Sequence, residues 1–260
     1  MEIEFFKYQG TGNDFVMIDN RSGVFEKNNI TLIQKMCNRK FGIGADGLIL
    51  LENDVDVDFR MVYFNADGNQ SSMCGNGGRC LVAFAKKLKI IDTAARFVAI
   101  DGLHHAEIDS ANCVSLQMKD IDNVSITDSG IFVNSGSPHH IVLVDRLELM
   151  DVKKKGAAIR YSKFYENEGV NVNFVQQETE NTFSIRTYER GVEDETLSCG
   201  TGATAVAVAM NFLSKTKHDK VFINVLGGKL EINFDKNTSG FCNIFLKGDA
   251  VFVYSGIFFD

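Results

Sequence analysis

A pattern written twice constrains this chain more than any other feature. Cys74-Gly75-Asn76-Gly77 recurs as Cys199-Gly200-Thr201-Gly202, an offset of 125 residues, and each copy opens an apolar run of helical character. The same offset pairs Tyr63 with Tyr188, Asp46 with Asn171, Phe97 with Phe222 and Gly102 with Gly227. With one residue of slack, Gly10 to Val16 falls on Gly136 to Val142. Self-similarity of this kind means one supersecondary unit used twice. Each half of the 260 residues is of ordinary domain size and long enough to bury a core.

Period and punctuation then give the content of each half. Short β-rich runs at Phe15 to Asp19, Leu48 to Glu52 and Phe59 to Phe64 precede the first cysteine. Their counterparts, His140 to Asp145, Val172 to Gln176 and Phe183 to Glu189, precede the second. Residues 79–90 and 203–214 are apolar nearly all round, with the charges of the first concentrated at Lys86, Lys87 and Lys89, which predicts buried helices. Hairpin signals follow each helix, at Asp101-Gly102 and Gly227-Gly228. Phe241 to Phe259 reads as strand returning to the first half. The expected fold is α/β (α+β), with two pseudo-symmetric domains, each wrapping its strands around a central helix. With one proline in the chain, no proline-rich linker marks the boundary, and the polar stretch Met118 to Gly130 is the best candidate. That division gives 1–118 plus about 245–260 as one domain and 119–244 as the other.

Charge and cysteine usage narrow the function classes. A net charge of −7 and a pI near 5.3 argue against nucleic acid or an anionic membrane as partner. Lys153-Lys154-Lys155, the one basic run, reads as a solvated face. No stretch approaches the roughly 18 apolar residues of a membrane span, and the N-terminus has no cationic region followed by an apolar core. The expectation is a cytoplasmic protein. Six cysteines without a C-x-x-C pair argue against a structural zinc site or a disulfide scaffold. Cys37, Cys113 and Cys242 read as small core residues. Cys80 follows Cys74 by six residues, about 120° away on a helix, and reads as packing.

The paired cysteines carry the chemistry. A helix N-terminus presents unpaired N–H groups and the positive end of the macrodipole, which bind a carboxylate and favour a thiolate. The glycines beside Asn76 and Thr201 let a ligand approach the backbone. Two such helix ends, facing each other, would hold one carboxylate with a sulfur on each side of the adjoining carbon. This arrangement suits removal of an α-proton from an amino acid and return of a proton to the opposite face, one sulfur acting as thiolate and the other as thiol. The carbanion would be stabilised through its carboxylate by preorganised N–H donors. Such a reaction requires no metal and no pyridoxal cofactor.

The strings G-T-G-N-D-F (10–15), F-N-A-D-G (64–68), M-C-G-N-G-G-R-C (73–80), Y-E-R-G (188–191) and C-G-T-G-A (199–203) together resemble the diaminopimelate epimerase family along nearly the whole chain. The resemblance implies two pseudo-symmetric domains, each a curled mixed β-sheet around a central helix, with the active site in the interdomain cleft. It implies cofactor-independent interconversion of LL- and meso-2,6-diaminopimelate, serving lysine and peptidoglycan precursor synthesis, in a cytoplasmic homodimer. Carried over by position, Cys74 and Cys199 are the acid/base groups, and Gly75, Asn76, Gly200 and Thr201 supply the helix-terminal donors. Asn13, Asn65 and Asn171 become polar substrate contacts. Arg190 grips a carboxylate bidentately, as a planar guanidinium can. Glu189 and His139 fall on positions important to the reacting site, with Glu189 suited to a substrate ammonium.

Plainer roles stand beside these. Asn13 and Asn65 occupy turn-forming surroundings where asparagine also caps loops; His139 beside His140 also reads as an exposed loop residue, and Glu189-Arg190 as a surface pair. The chain departs from the commonest family pattern in three places. Gly47 stands where many members carry a substrate-contacting Gln, Ser137 where Asn is frequent, and the segment Gly191 to Cys199 is one residue longer than usual. Two other functions fit the cysteine pair: a racemase of the proline or hydroxyproline type, and a non-enzymatic redox thiol protein. Glu189 with Arg190 separates the first of these, because a small ring substrate needs no second pair of counter-charges.

Overall fold

The structure, a computed structural model, describes residues 2–71 and 73–260; Met1 and Ser72 lie outside the described residues. The chain divides into two compact units, residues 1–116 with 248–260 and residues 117–247.

Unit 1 contains β1 (Glu2–Gly10), β2 (Asn13–Asp19), α1 (Ile30–Cys37), β3 (Gly47–Glu52), β4 (Phe59–Asn65), α2 (Gly75–Lys87), β5 (Ala94–Ala99), β6 (Gly102–Ile108) and β7 (Cys113–Gln117). In unit 2 follow β8 (Val124–Thr127), β9 (Gly130–Asn134), β10 (Pro138–Leu143), α3 (Val152–Arg160), β11 (Asn171–Gln177), β12 (Thr182–Glu189), β13 (Asp194–Thr196), α4 (Gly200–Phe212), β14 (Lys220–Val225), β15 (Gly228–Asn237) and β16 (Gly240–Asp249). The last strand, β17 (Val251–Phe259), returns to unit 1 and pairs antiparallel with β1. The C-terminal apolar stretch is therefore two strands, broken at Ala250, rather than one run.

The two sheets share one pattern of pairing. In unit 1 the order is β17-β1-β2-β3-β4-β5-β6-β7, parallel at β2–β3 and β4–β5 and antiparallel elsewhere. In unit 2 the order is β8-β9-β10-β11-β12-β14-β15-β16, parallel at β10–β11 and β12–β14. The repeat read from the offset is thus a repeat of topology.

Strand alternation sends successive side chains to two helical layers. In unit 1, Val16, Ile18, Leu48, Leu50, Val62 and Phe64 meet Leu32, Ile33 and Met36 of α1. The opposite face, with Phe15, Ile49 and Met61, lies against α2, where a Cβ on Gly77 would meet all three. In unit 2 the face bearing Ile141, Val175, Phe183 and Ile185 packs on α4. Val172, Phe174 and Tyr188 turn the other way, into the cluster with Val152 and Ala157 of α3. The helices α2 and α4 are buried through most of their length, with small and apolar residues predominating beyond their polar first turns. They begin at Gly75 and Gly200, earlier than the apolar periodicity alone predicts, since the glycine-rich first turns are already helical. The helices α1 and α3 and strand β1 carry weaker patterns and were not foreseen. Lys153, Lys154 and Lys155 lie exposed on α3.

Candidate active site

Both cysteines occupy the same backbone position. Cys74 is the N-cap of α2 with extended dihedrals (φ −108°, ψ 122°), and Cys199 is the N-cap of α4 (φ −124°, ψ 110°). Neither side chain caps its own helix, so the N–H groups of the first turn are not taken up by the sulfur. Those groups are the ordinary anion-binding feature of a helix start.

In unit 1 the Cys74 thiol donates to Asn13 Oδ1 at 3.5 Å, and Asn76 Nδ2 donates to the same oxygen at 3.4 Å. Asn13 is oriented by its other end, which donates to Asp46 Oδ2 at 2.5 Å, a partner that only accepts. Asp14 beside it accepts from Arg39 at 2.7 and 2.9 Å and pairs with Lys7 at 2.8 Å. Burial raises its pKa, but the two cations outweigh this and hold it down at about 2. Asn65 ends β4 opposite Gly47, which in turn stands opposite Phe15, so Asn13, Asp46 and Asn65 share one edge of the sheet. A Cβ on Gly47 would meet Tyr63 Cε2 at 2.5 Å. The Phe64 carbonyl and the Tyr63 ring together take the space that a longer residue there would need.

In unit 2 a chain of neutral hydrogen bonds leads to Cys199. Thr187 Oγ1 donates to Asn173 Oδ1 at 2.9 Å, and Asn173 Nδ2 donates to His139 Nδ1 at 3.0 Å. An amide nitrogen cannot accept, so the imidazole carries its proton on Nε2 and donates it to Thr201 Oγ1 at 2.9 Å. Thr201 Oγ1 lies 3.4 Å from Cys199 Sγ. His139 is fully buried; burial first, and then the charge of Arg190, lowers its pKa to about 3, so the ring is neutral. It sits behind Thr201 in the interior and is not the exposed loop residue that the plainer reading allowed. Gly202 is required by close approach: a Cβ there would meet Asn173 Oδ1 at 2.5 Å.

The remaining candidates gather at the ends of β10, β11 and β12. Asn171 donates to Ser137 Oγ (3.2 Å) and Pro138 O (3.1 Å) and accepts from the Arg190 backbone N–H at 2.9 Å. Ser137 therefore serves as a partner of Asn171. Glu189 accepts from Thr196 Oγ1 at 2.9 Å, and Arg190 Nη1 donates to Glu168 O at 2.8 Å. The longer segment before Cys199 folds as a hairpin of β12 and β13. Glu193, in the left-handed region at φ 59°, accepts there from Tyr188, Tyr161 and the Gly191 N–H.

Among the polar residues not singled out from sequence are Asn173 and Thr187 of this network, and Thr11 and Arg79, where Arg79 Nη2 donates to Asn76 Oδ1 and Thr11 Oγ1. Asn173 and Thr187 were legible in principle, as polar side chains at inward positions of otherwise apolar strands. Arg79 is a lone cation at the start of an apolar helix.

The comparisons with known proteins agree over nearly the whole chain. Residues 5–120 and 131–253 match the family described as diaminopimelate epimerase. The diaminopimelate epimerase of Flavobacterium psychrophilum is 62% identical over 252 residues, covering 97% of this chain and 98% of the relative. That of Chlorobaculum tepidum is 44% identical over 257 residues, covering 95% and 98%. Among solved structures, the PhzF-family phenazine biosynthesis protein of Bacillus anthracis shares the fold with a TM-score of 0.81 at 13% identity, covering 100% of both chains. A hydroxyproline epimerase from Agrobacterium vitis, solved with trans-4-hydroxy-L-proline, gives a TM-score of 0.68 at 14% identity, covering 98% and 92%. The chain belongs to the diaminopimelate epimerase family and is an isomerase acting on amino acids.

Proposed function

We propose that this protein interconverts LL- and meso-2,6-diaminopimelate by a two-base mechanism without a cofactor, as a cytoplasmic homodimer of lysine and peptidoglycan precursor synthesis. The observation that carries the mechanism is the equivalence of Cys74 and Cys199. Each is the N-cap of a buried helix with a glycine-rich first turn, in units of the same strand order.

One sulfur, as thiolate, takes the α-proton; the other, as thiol, delivers a proton to the opposite face, and the roles exchange in the reverse direction. Gly75, Asn76, Gly200 and Thr201 offer the helix-start N–H groups to the carboxylate at the reacting carbon, where negative charge develops. Asn13 and Asn65 supply polar contacts, and Asn171 holds the Arg190 backbone in place. His139 keeps the Thr201 hydroxyl directed at Cys199 and is itself too reluctant to protonate to serve as the acid. Glu189 and Arg190 match an ammonium and a carboxylate at the distal end of the substrate. This favours diaminopimelate over a small ring amino acid, although the fold is shared with a hydroxyproline epimerase.

The test is incubation with LL-diaminopimelate in D₂O, followed by resolution of the stereoisomers. The expected result is meso product carrying deuterium at one α-carbon, abolished in Cys74→Ala and in Cys199→Ala. Full turnover by either variant would sink the two-base reading.

A further inference from the structure

The repeat is broken at one position in a way that concerns charge. Arg79, at the second turn of α2, is 0% exposed. Its Nη2 donates to Asn76 Oδ1 at 3.0 Å and to Thr11 Oγ1 at 3.4 Å, both neutral, while Nε and Nη1 have no hydrogen-bond partner among the described residues. Thr11 lies in a left-handed conformation (φ 48°) at the tip of the β1–β2 hairpin, where a residue with a Cβ is strained.

The acidic groups facing Arg79 are Cys80 and Cys74 of its own helix, Cys113 of β7 and Asp249 at the end of β16. Asp249, the one carboxylate of the four, makes no ion pair with it among the described residues. Burial pushes the Cys80 thiol up to about 12, so Cys80 supplies no charge at neutral pH. Around Asn13, the carboxylates Asp14 and Asp46 are answered by Arg39, and Asp14 also by Lys7. The guanidinium is therefore a buried cation without a carboxylate in contact.

The corresponding position in α4, 125 residues on, is Thr204, whose hydroxyl donates back to Gly200 O at 3.0 Å. In the strands the hydrogen-bonded register sets the equivalent positions 124 apart, so that Tyr63 corresponds to Thr187 and not, as the 125-residue offset has it, to Tyr188, and these positions differ in the complementary sense. Phe15, Ile49 and Tyr63 face the start of α2, where His139, Asn173 and Thr187 face the start of α4. Unit 1 backs its helix start with a charge on apolar walls, and unit 2 backs its own with a neutral hydrogen-bonded chain.

We propose that Arg79 is a positioning residue that acts by charge, stabilising the ionised form of Cys74 and not that of Cys199. This rests on the reading of Cys74 as a sulfur that works as a thiolate. An uncompensated buried charge costs stability, and an apolar isostere commonly restores it. Its place five residues on from a reactive sulfur, joined to it through Asn76 and Asn13, fits an electrostatic duty, because attraction between charges is strong where water is excluded. The contact of Cys74 with Asn13 Oδ1 is a weak thiol hydrogen bond, and ionisation exchanges it for that attraction.

The test uses the full-length, ligand-free protein. Alkylation of Cys74 and of Cys199 by iodoacetamide is followed by peptide mass mapping across pH 5 to 10 in wild type, Arg79→Met and Arg79→Gln. The glutamine keeps a donor for Asn76 and Thr11 without the charge. The expected result is a Cys74 rate at pH 7 lowered about tenfold in both variants, the change given by a one-unit move of its ionisation. The rates converge at high pH, Cys199 is unaffected, and the melting temperature is no lower than that of wild type. An unchanged Cys74 rate in Arg79→Met, recovery in Arg79→Gln, equal losses at Cys74 and Cys199, or failure of both variants to fold would each overturn the proposal. No substrate is present, so a negative deuterium experiment and a negative alkylation experiment refute different statements.

Discussion

At the scale of single residues, the site is built from side chains whose orientation is imposed by partners with only one hydrogen-bonding role. Asp46 can only accept and Arg79 can only donate, so Asn13 and Asn76 each have one admissible orientation. In unit 2 the neutral imidazole plays that part: with Nδ1 accepting from Asn173, Nε2–H must point at Thr201. The Thr201 hydroxyl, having accepted, keeps its own proton for the sulfur 3.4 Å away. Thr201→Val should therefore lower kcat by roughly 10²-fold, the lower end of what positioned proton-transfer groups contribute, with little change in KM. Thr201→Ser should retain most of the rate. Steady-state kinetics decide it, and a valine variant as fast as wild type would remove Thr201 from the proton path. The cysteines and their glycines were legible in sequence because chemistry there depends on local backbone. Asn173 and Thr187 were not singled out, because their meaning comes from strand pairing, which brings residues 14 apart into register.

At the scale of elements, the repeat gave the central helices and the strand runs before them, since those segments have strong, matched periodicity. It did not give α1 and α3. Each is short, with one buried stripe, and forms because a sheet with apolar side chains on both faces needs a second cover. Both are started by local caps, Asn29 accepting from the Leu32 N–H and Asp151 from the Lys154 N–H. Strand β17 shows the reverse situation, apolar residues left uncovered. Phe252 and Tyr254 touch the rings of β1 yet stay partly exposed, and Val253, Ile257 and Phe259 on the alternate positions are 51%, 54% and 67% exposed. A solvated strand face is ordinarily polar, and a contiguous apolar one marks an interaction surface. Assembly through β17 predicts a particle of twice 28.8 kDa by analytical ultracentrifugation. Val253→Glu with Ile257→Glu should bring it to the mass of one chain, and a double variant that remains dimeric would place the interface elsewhere.

At the scale of the whole molecule, the two units have the same topology but different responses to acid. Unit 2 contains His139, whose pKa is about 3 when folded against a usual value of 6.5. Below pH 6.5 the unfolded chain takes up a proton that the folded chain refuses, so stability falls as pH drops, by up to about 1.4 kcal/mol per unit, until about pH 3. Unit 1 depends instead on Asp14, held at about 2 against a usual 3.8 by Arg39 and Lys7. A carboxylate with a lowered pKa stabilises the fold above 3.8 and loses that contribution only as pH falls toward 2, an effect on the order of 1 kcal/mol for this half-buried group once solvent screening is allowed for. The consequence is an order of acid unfolding. Around pH 4 to 5, hydrogen exchange should quicken in β10, β11, β12 and α4 while α2 and its strands keep their protection. His139→Gln, which retains a donor toward Thr201 without a titrating ring, should flatten the decline of unit 2 between pH 6.5 and 4. Simultaneous loss of protection in both units, or an undiminished slope in the glutamine variant, would show that some other group governs acid stability.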